Sequence, residues 1–89
     1  MWASFGGVMT TKDAFQAIVD HANEPSVNYA VAYAEEGVRM CEMPKGTLFL
    51  GEPIERAIKV QCLYTVVNIS RWRGELAKEV RAVLKAGGK

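Results

Sequence analysis

Ser26-Val27-Asn28-Tyr29-Ala30-Val31-Ala32-Tyr33-Ala34-Glu35-Glu36-Gly37-Val38-Arg39-Met40-Cys41-Glu42 is the stretch on which the fold turns. Taken with a helical period, Val27, Ala30, Val31, Ala34, Val38 and Cys41 line one apolar face behind a Ser26 cap. Taken with period two, Val27, Tyr29, Val31 and Tyr33 alternate with Asn28, Ala30, Ala32 and Ala34. Glu35-Glu36-Gly37 then becomes a hairpin turn into a second strand, Val38–Met43. The alanines favour helix and the valine/tyrosine alternation favours strand. The helical reading is adopted, and it makes the chain an all-α protein, a compact bundle of three to four helices. An α+β domain with a β-hairpin at about 27–43 is the alternative.

The flanking segments carry helical signals of their own. Upstream, Thr10 or Thr11 caps a helix with Asp13 in its first turn, where a negative charge suits the helix dipole. Ala14, Phe15, Ile18 and Ala22 follow at helical spacing, and Pro25 ends the element. Downstream, Met43-Pro44-Lys45-Gly46 marks a loop and Thr47–Gly51 a short apolar connector. Pro53 suits the first turn of a long helix, with Glu52 and Glu55 at its positive end. Ile54, Ala57, Ile58, Gln61, Cys62, Thr65, Val66 and Ile69 form one stripe of that helix, and Val60, Leu63, Tyr64 and Val67 a second on the opposite side. A helix apolar on both sides is expected at the centre of the bundle. A strand is the competing reading of Val60–Ile69, which is rich in β-branched residues. After a break near Asn68–Arg71, a last helix is expected from Arg71 or Trp72 to about Ala86, stopped by Gly87-Gly88. Its buried face is Trp72, Leu76, Val80, Val83 and Leu84.

These elements imply a single domain over residues 10–86, a poorly ordered leader at 1–9 and a tail at 87–89. Eighty-nine residues with 49% apolar content make one small core. That is more apolar surface than such a core hides, which points to a homo-oligomer, a dimer first. No apolar run reaches membrane-spanning length, and the start lacks the basic and apolar regions of a signal peptide. The expected location is the cytoplasm, where Cys41 and Cys62 stay reduced. One histidine and two distant cysteines make no metal motif, and no glycine-rich phosphate loop is present, so neither metal nor cofactor is expected.

Charge is distributed unevenly. Residues 1–55 hold three basic and eight acidic side chains, and residues 56–89 hold eight basic and two acidic, so the halves carry −5 and +6. On a helical wheel Arg71, Lys78, Arg81 and Lys85 gather into one stripe beside the apolar face of the last helix. With Arg73 they are the candidate contact for nucleic acid or for an acidic partner. The plain alternative is a solvated face at the C-terminal, dipole-favoured end of a helix. Tyr29, Tyr33 and Met40 are the candidate protein interface, since amphipathic tyrosines and adaptable methionines suit such surfaces. His21, beside Asp20 and three residues from Glu24, is the only candidate general acid or base.

One stretch carries a resemblance. Gln61-Cys62-Leu63-Tyr64-Thr65-Val66-Val67-Asn68-Ile69-Ser70-Arg71-Trp72-Arg73-Gly74-Glu75, continuing to Lys85, is similar to the C-terminal half of small uncharacterised proteins of phages and mobile elements, including integron gene cassettes. The Asn28-Tyr29-Ala30 and Tyr33-Ala34 pairs fit the same pattern. The resemblance implies a helical fold and a mobile-element context, and it transfers no site. The expected function is therefore a non-enzymatic, self-associating protein-interaction module. A nucleic-acid binder using the basic stripe is second, and a small acid–base enzyme centred on His21 is third.

Overall fold

The computed structural model describes residues 9–89; the expected leader, apart from Met9, lies outside the described residues. Four α-helices pack in a ring: α1 (Thr11–Asp20), α2 (Val31–Cys41), α3 (Ile54–Val67) and α4 (Glu75–Gly87). Each packs on the next in chain order, and α4 closes on α1. This is the expected helical bundle, and the hairpin considered at 27–43 does not form. A small antiparallel ribbon lies elsewhere, β1 (Leu48–Phe49) against β2 (Glu52–Pro53), within the segment read as a plain connector.

Local chemistry explains the ends of α1. Thr10 and Asp13 form a reciprocal capping box: the Asp13 amide donates to Thr10 Oγ1 and the Thr10 amide to Asp13 Oδ2, both at 3.1 Å. The helix closes at Asp20, four residues before Glu24, so Ala22 falls outside it and is exposed. Pro25 starts a new element instead of merely stopping the old one. It opens a short 3-10 helix, Pro25–Ala30, that leads directly into α2. Ser26 does not cap, because Glu24 occupies the cap position ahead of a proline at the first turn.

Between α1 and α2 the chain needs a glycine. A Cβ built on Gly37 would stand 2.6–2.7 Å from three ring atoms of Phe15, which is wholly buried. The two helices thus approach until the Phe15 ring lies on bare backbone. Across the same pair, Lys12 Nζ meets Glu42 Oε2 at 3.0 Å.

The last helix starts later than its apolar pattern suggests. Gly74 has φ +110° and ψ 171°, a backbone conformation closed to side-chain-bearing residues, and it resets the chain before Glu75. Trp72 therefore belongs to the connection, not the helix, although it is buried as expected. Buried Ala77, Val80 and Leu84, with half-buried Leu76 and Val83, make the inner face of α4. The core gathers Phe15, Ile18, Val27, Ala34, Cys62, Ile69, Trp72, Val80 and Leu84 around the ring axis, with Met9 packed against them.

The central position expected for α3 is not observed. Ile54, Gln61, Cys62, Thr65 and Val66 face inward, but Val60, Leu63, Tyr64 and Val67 remain between 42% and 65% exposed. The reason is geometric. In a ring of four helices each member covers one side of its neighbours; among the described residues there is no fifth helix to cover the second stripe, and the short β1–β2 ribbon reaches only its Arg56 end.

Candidate protein-interaction surface

The outer face of α3 carries four of the eight large apolar side chains exposed among the described residues, Val60, Leu63, Tyr64 and Val67. Arg56, Val60, Leu63 and Val67 follow one another at spacings of four, three and four residues, with Tyr64 beside them. That is the seam spacing of paired helices. The α2 side of the chain forms one edge of this face. Tyr33 stacks at a tilt on Tyr64, with ring centroids 6.1 Å apart, and Gln61 Nε2 donates to the Tyr33 carbonyl at 2.8 Å. At the Val67 end of that edge, Tyr29 is 82% exposed and shares a groove with Pro25, Ser26, Asn68, Ser70 and Arg71. At the other end, a groove of about 450 Å³ is lined chiefly by Met40, Phe49, Leu50, Arg56, Val60 and Tyr64. The opposite edge is bounded by Lys59 and Gly88.

Leu50 marks the tip of the β1–β2 ribbon. The two-residue turn Leu50-Gly51 has φ +52° and +83°, positive at both positions as a tight hairpin turn of this kind requires. Asparagine and glycine are the favoured residues for such a turn, and a leucine there is strained. It is also 91% exposed. A large apolar side chain held in an unfavourable conformation and pointed at water has no folding rationale, and such outliers cluster at functional sites.

The other candidate residues divide. Tyr29 and Tyr33 are exposed on this surface, as the interface reading requires. Met40 is only 3% exposed, so it serves as groove wall and core residue and not as a projecting contact. Arg71, Arg73, Lys78 and Lys85 are exposed, and none forms an ion pair with a described residue. The three ion pairs among the described residues are Lys12–Glu42, Arg39–Glu36 and Arg56–Glu52. The acidic front and basic back are therefore not zipped together within one chain.

Arg81 departs from the stripe. Its guanidinium Nη1 donates to the carbonyls of Ile69 and Trp72, tying the α3–α4 connection to α4. Charge-assisted bonds of this kind are each worth about 1.5–3 kcal/mol. Arg81→Ala is expected to lower unfolding free energy by about 2 kcal/mol, whereas Lys78→Ala, on the exposed side of α4, should stay within about 0.5 kcal/mol. Urea unfolding of the two variants separates the roles.

His21 is engaged in packing. It is the C-cap residue of α1, its Nδ1 donates to the Ala17 carbonyl at 2.8 Å, and its ring lies 5.5 Å from that of Trp72. Asp20 Oδ1 accepts from Gln16 Nε2 at 3.0 Å. Burial raises both thiols: Cys41 sits above its ordinary value, and Cys62 is pushed up to about 11, its neighbour Cys41 adding to the effect. Both are therefore protonated and weakly nucleophilic near neutral pH. Among the described residues no group of three or more histidine, cysteine, aspartate or glutamate side chains stands ready for a metal, and no helix is long and apolar enough to cross a membrane.

The sequence missed Leu50, Val60, Leu63 and Val67 as surface residues. Their spacing was legible, but an apolar stripe reads the same whether it is covered or open. No protein-family model, curated protein or solved structure matches this chain.

Proposed function

We propose that this protein is a non-enzymatic, self-associating interaction module, and that the outer face of α3 is its contact surface. The observation that carries this reading is the exposed apolar face itself. Tyr29, Tyr33, Leu50, Val60, Leu63, Tyr64 and Val67 leave an exposed area on the order of 700 Å². The largest apolar patch on an ordinary monomer is about 300–600 Å², and each partner in a standard interface contributes about 800 Å². A phage or mobile-element context, implied by the resemblance over residues 61–85, belongs to the same proposal, as does the cytoplasmic setting expected from the sequence. The nucleic-acid reading is weaker, because Arg81 is committed to the α3–α4 connection and Trp72 is buried away from any base.

Leu63 lies in the middle of the seam and is half exposed, so a charge there leaves the monomer's own core intact. Leu63→Glu should raise the dissociation constant at least 100-fold, because it places two carboxylates in an apolar contact. Sedimentation equilibrium of both proteins across a concentration series reads the result. A wild-type mass of 9.8 kDa at every concentration would overturn the reading; so would a Leu63→Glu protein that associates like the wild type.

A further inference from the structure

The α3 face has a direction, and its two ends differ. One end carries a groove walled by Met40, Phe49, Leu50 and Arg56; the other carries the projecting Tyr29 beside Val67 and Arg71. Both features lie on the α2 edge of the face. Two copies can lay their α3 seams together around a two-fold axis in two ways. With the axis along the helix, the copies run parallel and the seam residue Arg56 meets its own counterpart, a repulsive arrangement. With the axis across the helix, the copies run antiparallel and each edge faces the same edge reversed.

We infer that the chain pairs with a second copy of itself through antiparallel α3 helices, each copy inserting Tyr29 into the other's groove at Leu50 and Arg56. This rests on the self-association proposed above and specifies its geometry. With the axis near the midpoint of Val60 and Leu63, Val60 lies over the partner's Leu63, and Val67 over the partner's Arg56. The groove of one copy is thus completed by the partner's Tyr29. The partner's Arg71 comes to rest over Glu52, whose bond to Arg56 is loose at 3.7 Å and leaves the carboxylate able to accept a second guanidinium. The positive end of each helix dipole also meets the negative end of the other. The strained Leu50 tip gains its purpose here, because it forms the outer wall of the pocket that the tyrosine fills.

Cysteine cross-linking tests the direction of pairing. In an antiparallel pair the two copies of residue 67 lie about 16 Å apart, eleven helical steps, far outside disulfide reach of about 4.4–6.8 Å between Cα atoms. Residue 56 of one copy adjoins residue 67 of the other. In a Cys41→Ser background, with Cys62 silent because it is buried, Arg56→Cys and Val67→Cys proteins should each stay uncross-linked under mild oxidation. An equimolar mixture of the two should give a covalent heterodimer. Cross-linking of Val67→Cys alone would overturn the antiparallel geometry while leaving self-association standing. A wild-type dimer whose mixture does not cross-link would overturn it too, and a strictly monomeric wild type would remove both proposals. Leu50→Asn gives a second readout that does not depend on cysteines. Asparagine accepts the positive φ, so the melting temperature read at concentrations where both proteins are monomeric should hold or rise, while the dissociation constant rises at least tenfold. Unchanged association in Leu50→Asn would overturn the pocket.

Discussion

Gly37→Val is expected to unfold the protein or leave it barely folded. Replacement by alanine already sets two effects against each other. Removing a glycine from mid-helix favours folding by about 0.8–1.0 kcal/mol. Forcing a methyl group to 2.6–2.7 Å from the Phe15 ring costs about 1–3 kcal/mol, since Phe15 is enclosed and cannot swing aside. The net is a loss, and Gly37→Ala should cost up to about 2 kcal/mol. Valine adds two further methyl groups to the same contact and a β-branch, and should lose more than about 3 kcal/mol. The whole domain holds only about 4–13 kcal/mol. Phe15→Leu in the Gly37→Ala background should recover part of the loss, because it removes the ring atoms that clash. The coupling between the two sites should be about 1–3 kcal/mol in a denaturation double-mutant cycle. A Gly37→Val protein as stable as wild type would refute this account of how α1 and α2 meet.

Trp72→Ala comes second in size. The indole is 5% exposed and joins the α3–α4 connection to the C-terminal end of α1 through His21. Its carbonyl is also one of the two that Arg81 grips. Large-to-small replacement of a buried tryptophan costs about 3–5 kcal/mol, which consumes much of the stability of a domain this size. Arg81 should hold the connection in part, so the loss should exceed that of Arg81→Ala without abolishing helical content in the cold. A local readout accompanies the global one. The His21 ring protons, beside the indole in the wild type, should return towards their positions in a free peptide when the tryptophan is removed. A loss below about 1 kcal/mol would place Trp72 outside the core, contrary to the packing described.

Both effects depend on close contacts between segments distant in sequence, which marks where sequence reading stopped. Helix α1 was legible because Thr10, Asp13 and the Ala14–Phe15–Ile18 spacing act within one turn of each other. The helical reading of residues 26–42 matches α2 over Val31–Cys41, where the apolar residues recur at the helical period, while its first turn is instead the 3-10 helix Pro25–Ala30. Proline misled in one respect: Pro25 was read as a stop, yet a proline's fixed φ serves equally well to start a helix. Gly74 ended the preceding connection with a positive φ, and the apolar pattern running from Trp72 into the helix hid that break.

The proposed contact surface was legible in part. Tyr29 and Tyr33 were singled out because a tyrosine's apolar body and polar tip suit an interface in any fold, and both are exposed. Met40 was misplaced because whether a methionine projects or fills a gap depends on the neighbours that close over it. Arg81 and Lys85 look alike on a helical wheel; the carbonyls of Ile69 and Trp72 that single out Arg81 are brought to it only by the turn between α3 and α4.

Sequence alone favoured a helical chain over a hairpin and determined where its apolar stripes run and how its charge is divided, since these follow from periodicity, capping and composition. Only the tertiary structure decided which stripe of α3 is covered. Burial is a property of the ring of four helices, and four helices have one inside to share. The second stripe, identical in kind to the first, is left as surface because the described chain has no further helix to place against it.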